Sequence, residues 1–158
     1  NILDRFSSWC SSNSLTLCPD KCNVISFSRS QSPITYSYVL NSVPVNRVCV
    51  VKDLGVLLDR GLTFSHHIDS VVNQARKTLG LLKKIACDFS DPMCLKTLFC
   101  SLVRSILEYC SVVWSPTART HVERIERVQR SFTRLSSPIP PYEGRCRQLG
   151  LELLENRR

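Results

Sequence analysis

A chain of 158 residues, 43% of them hydrophobic, falls within the usual size of one domain and can bury a core, which excludes a wholly disordered protein. Twenty-one Lys and Arg against thirteen Asp and Glu leave a formal charge of +8, a balance that favours polyanionic partners such as nucleic acid. No apolar run approaches the roughly 20 residues that a membrane-spanning helix needs, so no membrane partner is expected.

The nine cysteines (Cys10, Cys18, Cys22, Cys49, Cys87, Cys94, Cys100, Cys110 and Cys146) are odd in number and scattered, with no signal peptide before them. They fit a reducing, intracellular compartment, nucleus or cytoplasm.

Residues 1–13 place Ile2, Leu3, Phe6, Trp9 and Cys10 at helical spacing, the end of an amphipathic helix. Leu15 to Cys22, with Pro19-Asp20, reads as a turn. Val24 to Ser28 then alternates Ile25 and Phe27 against serines as a half-buried strand does. Alternation resumes at Ile34, Tyr36, Tyr38 and Leu40, pauses at Asn41-Ser42, and returns from Val43 to Val51, which predicts a hairpin. Pro44 has no N–H to give a ladder, so it belongs at an edge or a strand start. Lys52 to Asp59 predicts a further short strand in which Gly55 allows a bulge or a close backbone approach.

From Ser65 the period lengthens to about 3.6, with Ile68, Val72, Ala75, Leu79, Leu82 and Ala86 on one stripe. Asp91 and Pro92 form an N-cap and first-turn pair for a second helix, with Leu95, Leu98, Leu102, Ile106, Tyr109 and Val113 on one side and Pro116 ending it. A third helix aligns Val122, Ile125, Val128, Phe132 and Leu135, with Arg119, Arg124, Arg127, Arg130 and Arg134 around the rest. The expected class is therefore α+β: a small antiparallel β-hairpin region over residues 1–59, a three-helix bundle over 60–135, and a linker with a short terminal segment over 136–158.

The order of the motifs resembles the non-LTR, LINE-like retrotransposon reverse transcriptases of the jockey type. The stretches that carry it are Trp9-Cys10, Asn13-Ser14-Leu15, Lys21-Cys22, Phe27-Ser28-Arg29 and Lys52-Asp53-Leu54-Gly55-Val56 in the first part. In the second they are Leu62 to Ile68, Val103 to Tyr109, Val113-Trp114-Ser115-Pro116, Ile125 to Phe132, and Tyr142-Glu143 to Arg145 with Leu149-Gly150-Leu151. The resemblance implies the end of a palm, a primer-grip hairpin and a helical thumb. Cys18 stands where the family usually has Asn, and Asn41-Ser42 replaces a more usual Asn-Gly turn.

In that family paired aspartates of an aromatic-Ala-Asp-Asp box hold the metals for phosphoryl transfer. This chain has no adjacent Asp-Asp, and the box would lie upstream of Asn1. The resemblance thus implies a piece that is inactive alone, with Mg expected only in an intact parent. Its partners would be an RNA/DNA template-primer duplex and the upstream palm and fingers of the parent polyprotein. The alternative is a non-catalytic nucleic-acid-binding protein, or an inert remnant, derived from such an element.

By the resemblance, Lys21 matches a lysine of the last palm motif and Lys52 to Val56, with Gly55, matches the hairpin that holds the primer end. Arg76, Lys77, Lys83 and Lys84 crowd the first bundle helix with no acid beside them in sequence, which makes that helix the better candidate for a duplex-facing surface. For each of these the competing reading is a solvated face. The third-helix arginines rank lower, because Glu123 with Arg127 and Glu126 with Arg130 stand four apart and are expected to pair. Cys18, Cys22, His66 and His67 lack the tight spacing of zinc ligands, so no metal site is expected.

Overall fold

Strands and helices segregate along the chain in the computed structural model, which describes residues 2–28, 30, 32, 35–86, 91–137 and 141–158. Two units result, Asn1–Thr63 and Phe64–Arg158, and every described strand lies in the first. The α+β character expected from the sequence is present. No described helix is long and apolar enough to cross a membrane.

In the first unit, helix α1 (Ile2–Ser12) buries Cys10 and leaves Phe6 and Trp9 about half exposed, their rings stacked with centroids 6.4 Å apart. Pro19–Lys21 forms one 3-10 turn, as Pro at a helix start favours. The expected strand over Val24–Ser28 shrinks to β1 (Asn23–Val24), which pairs in parallel with β4 (Asn46–Arg47). Residues beyond Val24 are tied by side chains instead: the Arg47 guanidinium donates to the Ser26 hydroxyl and, at 2.7 Å, to the Tyr36 carbonyl.

The predicted hairpin exists but is short, β2 (Val39–Leu40) against β3 (Val43–Pro44). Its two-residue turn has Asn41 and Ser42 both in the left-handed region, at φ 51° and 64°, which suits the twist of a tight hairpin. Pro44 sits in a two-stranded sheet, where both strands are edges. The run from Val43 to Val51 is not one strand. It is divided among β3, β4 and the start of β5 (Val50–Asp53), because successive parts find different partners. Ile34 lies outside the described residues.

β5 pairs with β6 (Val56–Asp59) in an antiparallel hairpin with Asp53 opposite Val56. Gly55 therefore makes a turn rather than a bulge: at φ 87°, after Leu54 at φ 44°, it supplies the second of two left-handed positions. Asp59 then closes the unit, its carboxylate accepting from the Gly61 and Thr63 amides at 3.2 and 3.0 Å.

The second unit is helical. α2 (Ser65–Ile85) buries Ile68, Val71, Val72, Ala75, Leu79 and Leu82, the stripe its periodicity predicts with Val71 added, while Ala86, also expected on it, caps the helix end and is half-buried. Asp91 caps α3 (Pro92–Leu98) as expected, accepting from the Met93 and Cys94 amides at 3.0 and 3.2 Å. The continuation differs from the expected single rod. The chain widens into a π-helical stretch over Phe99–Arg104, continues as α4 (Ser105–Glu108), and breaks at Cys110, whose φ of 55° is left-handed, before α5 (Ser111–Trp114).

The buried stripe is accordingly Leu95, Phe99, Val103 and Leu107, and the expected Leu102, Tyr109 and Val113 are roughly half exposed. Residues four apart drift by about 40° per step on a regular helix. The wider π turn absorbs that drift and keeps the four on one side. The break is held by Trp114, which is wholly buried and donates its indole N–H to the Tyr109 carbonyl at 2.8 Å.

α6 (Arg119–Ser136) closes the core with Ile125, Val128 and Phe132, while Leu135, expected inside, is 40% exposed. Phe132 stacks on Phe99 at a centroid distance of 4.1 Å with the rings nearly parallel. The terminal segment also belongs to this core. α7 (Tyr142–Gln148) and the 3-10 turn Leu154–Arg157 bring Cys146, Leu149, Leu151 and Leu154 inside. The linker residues 138–140 lie outside the described residues.

These placements separate two otherwise similar substitutions. Phe99→Ala is expected to cost about 3–5 kcal/mol by urea denaturation, as for a fully buried aromatic. Leu102→Ala should cost less than about 1 kcal/mol. Equal losses would refute the π-shifted register. His67, 3% exposed and edge-on to Trp114 at 5.0 Å, has its pKa lowered from 6.5 by burial. The folded state then binds fewer protons than the unfolded chain below pH 6.5, so stability should fall as pH drops from 7 to 5. His67→Phe should flatten that slope relative to the parent in parallel melts.

Candidate nucleic-acid interface

α2 and α6 pack together, and each presents the same spacing toward the seam between them. On α2 the positions are Arg76, Gly80 and Lys83; on α6 they are Arg127, Ser131 and Arg134, in both cases i, i+4 and i+7. At 1.5 Å per residue each row runs about 10 Å along its helix. Between the rows lies a groove of about 410 Å³ whose apolar floor is Leu79 and Val128. Lys83 crosses it, its Nζ donating to the Ser131 hydroxyl at 3.1 Å.

Among the described residues, four cationic side chains line this groove and no acid does. Several acids of the unit pair with other arginines. Asp69 pairs with Arg124, Glu123 and Glu155 with Arg119, and Glu108 with Arg104 and Arg157. The local pairs expected on the third helix are therefore corrected: Glu123 reaches back to Arg119 rather than forward to Arg127, and Glu126 turns inward. Among the described residues Arg76, Arg127 and Arg134 form no ion pair, and all three are exposed. Like charges held this close raise the local potential and favour an anion between them.

The sequence-predicted residues divide three ways. Arg76 and Lys83 are brought together with two α6 arginines that sequence reasoning ranked lower. Lys77 and Lys84, each one residue on, are about 100° around α2 and stand exposed on an adjoining face. Lys21 ends the 3-10 turn, Lys52 is on β5 opposite Leu57, and Gly55 is in the β5–β6 turn, all exposed in the first unit. The signal that could have found Arg127 and Arg134 is their seven-residue spacing, which matches that of Arg76 and Lys83. No cluster of three His, Cys, Asp or Glu side chains fit to hold a metal ion occurs among the described residues.

The opposite side of α6 is polar and buried. Glu126 accepts from the Tyr142 hydroxyl and, at 3.3 Å, from the Leu154 amide, while the Gln129 side-chain amide donates to the Glu152 carbonyl at 2.8 Å and to Tyr142 at 3.1 Å. Burial, reinforced by the bond to Glu126, pushes the Tyr142 hydroxyl well above its usual range, so it stays protonated and donating. Arg130 lies over the Tyr142 ring at 4.9 Å, which removes it from the groove side. These bonds fix the rotation of α6 about its axis, and with it the direction of Arg127 and Arg134.

Among known proteins, the chain is similar to RNA-directed DNA polymerases of transposable elements. It is 28% identical over 138 residues to the "Probable RNA-directed DNA polymerase from transposon X-element" of Drosophila melanogaster, a match covering 83% of this chain. It is 25% identical over 142 residues to the RNA-directed DNA polymerase from mobile element jockey of Drosophila melanogaster, and 28% over 147 residues to that of Drosophila funebris, each covering 89% of this chain. The non-LTR, jockey-type resemblance read from the motifs is borne out. The chain spans only 14% to 15% of the length of these relatives, so it corresponds to a part of them. No protein-family model and no solved structure matches it.

Tyr142→Phe removes the donor to a buried carboxylate and should destabilise the protein by about 1–3 kcal/mol, the usual penalty for an unsatisfied buried acceptor. Double substitution with Glu126→Gln should recover part of that loss in a denaturation cycle. Full additivity of the two would contradict the proposed bond.

Proposed function

We propose that this chain is the template-primer-gripping part of an RNA-directed DNA polymerase of a jockey-type mobile element, without catalytic aspartates of its own. The observation that carries this reading is the cationic seam of α2 and α6, which no acid lines among the described residues, in a chain related to such polymerases over 83% to 89% of its length. Its fixed rows of cations suit the phosphate backbone, which supplies the sequence-independent share of duplex affinity.

In this reading residues 1–59 are the end of the palm with the primer grip, the β5–β6 hairpin presenting Lys52 and Gly55 to the primer end. The helices over 60–135 are the thumb, and the remaining segment braces it. Lys21 and Lys52 provide positive charge toward the duplex in the first unit, and Arg76 and Lys83 do so in the second. The upstream palm and fingers of the parent polyprotein would supply the metal-binding carboxylates, and Mg would act there as Lewis acid.

The test uses the 158-residue chain. Fluorescence anisotropy with a labelled RNA–DNA hybrid should show binding that barely depends on sequence and falls steeply between 50 and 200 mM salt, as counterion release requires. Primer extension with the same hybrid, nucleotides and Mg should give no product. Salt-independent or absent binding would overturn the gripping role, and extension would overturn the lack of catalysis.

A further inference from the structure

Gly80 is in the middle of α2, where glycine costs about 1 kcal/mol relative to alanine. Two intramolecular reasons for a glycine are available, and neither applies. Its backbone is not left-handed, and a Cβ built there would meet nothing within 4 Å. Gly80 also belongs to the same row as Arg76 and Lys83 and faces Arg127, Ser131 and Arg134 across the groove. No contact among the described residues requires the space, which leaves the α2 backbone open to close approach.

We infer that the α2–α6 groove seats one sugar-phosphate strand of a nucleic acid, the strand passing over Gly80 with its phosphates held by Arg76 and Lys83 on one wall and Arg127 and Arg134 on the other. Several observations support a polyanion strand over a small anion or an apolar peptide. The cations are spread along about 10 Å of each helix rather than converging on one point. That length corresponds to about three charges of a strand at one per 3.4 Å. All four are flexible, exposed side chains, suited to a ligand that they follow rather than enclose. The floor between them is apolar, which suits the sugar face of a backbone and offers no groups to read bases. Ser131, already joined to Lys83, adds a hydroxyl that can donate to a phosphate oxygen.

This deepens the gripping role and rests on it, and it divides the α2 cations: Arg76 and Lys83 are contacts, while Lys77 and Lys84 belong to a face the strand does not touch. The two α6 arginines are contacts of equal standing with those of α2.

Binding of the 158-residue chain to a labelled RNA–DNA hybrid is measured from 50 to 300 mM salt. Arg127→Ala with Arg134→Ala should lower the slope of log K against log salt by about 2, one per lost phosphate contact. Lys77→Ala with Lys84→Ala, which removes the same charge, should change it by less than about 0.5. Gly80→Leu keeps the charge but fills the groove, and should weaken binding at least fivefold. Gly80→Ala, a better helix former, should raise the melting temperature and serves with Gly80→Leu as a control for folding. If the parent binds but the Arg pair and the Lys pair lose equal slope, or Gly80→Leu binds as the parent does, the groove is not the site and the gripping role stands. If the parent does not bind the hybrid, both fall together.

Discussion

The second unit depends on the stack of Phe99 on Phe132. Both rings are wholly buried, nearly parallel and 4.1 Å apart, and they tie the middle of the helical segment to α6. Close packing around two fully buried rings sets the depth at which α6 meets the π-helical stretch. The π turn follows from it. Leu95, Phe99, Val103 and Leu107 can all face inward only if the helix widens between them, and the cost of the irregular turn is offset by burying four large side chains instead of two or three. Trp114 completes the arrangement by bonding back to Tyr109, which ends the rod early and turns the chain toward α6.

With α6 fixed in depth by Phe132 and in rotation by Glu126 and Gln129, its charged surface is sorted by position. Arg119 and Arg124 meet acids, Arg130 covers Tyr142, and Arg127 and Arg134 are left beside the cations of α2. An electrostatic surface with one sign results from where the acids are used, and the chain's net charge of +8 is only a weak guide to it. Clustering four cations around an apolar floor works against folding through mutual repulsion, which screening by salt or an anionic ligand relieves.

The first unit is organised on another principle. Its strands are two to four residues long and form three separate two-stranded ladders, so side chains do much of the joining: Arg47 to Ser26 and Tyr36, Arg60 to Ser30, Ser7 to Asn41. Phe6, Trp9, Tyr36 and Leu54 of this unit are exposed. Exposed apolar surfaces of this kind normally mark places where another surface packs.

Local chemistry was readable without the structure. The α2 stripe, the Asp91 cap, the Asn41-Ser42 turn and the jockey-type motif order are properties of neighbouring residues, where period, capping and turn geometry act over a few positions. The groove cations were half legible: Arg76 and Lys83 stood out because no acid lies near them in sequence, whereas Arg127 looked neutralised by Glu123. Which acid reaches which arginine depends on rotamers and on helices distant in sequence. The face buried by the middle helix likewise depended on a π turn that no period announces, and Glu126, which the sequence pairs with Arg130, turns inward with Gln129 only because α7 and the segment after it fold over them. Sequence by itself determined α2, α6, the tight turn, the helix cap and the family resemblance, because these rest on local pattern and order. Tertiary structure decided the register of the core and the pairing of charges, because both are settled by contacts between residues far apart in the chain.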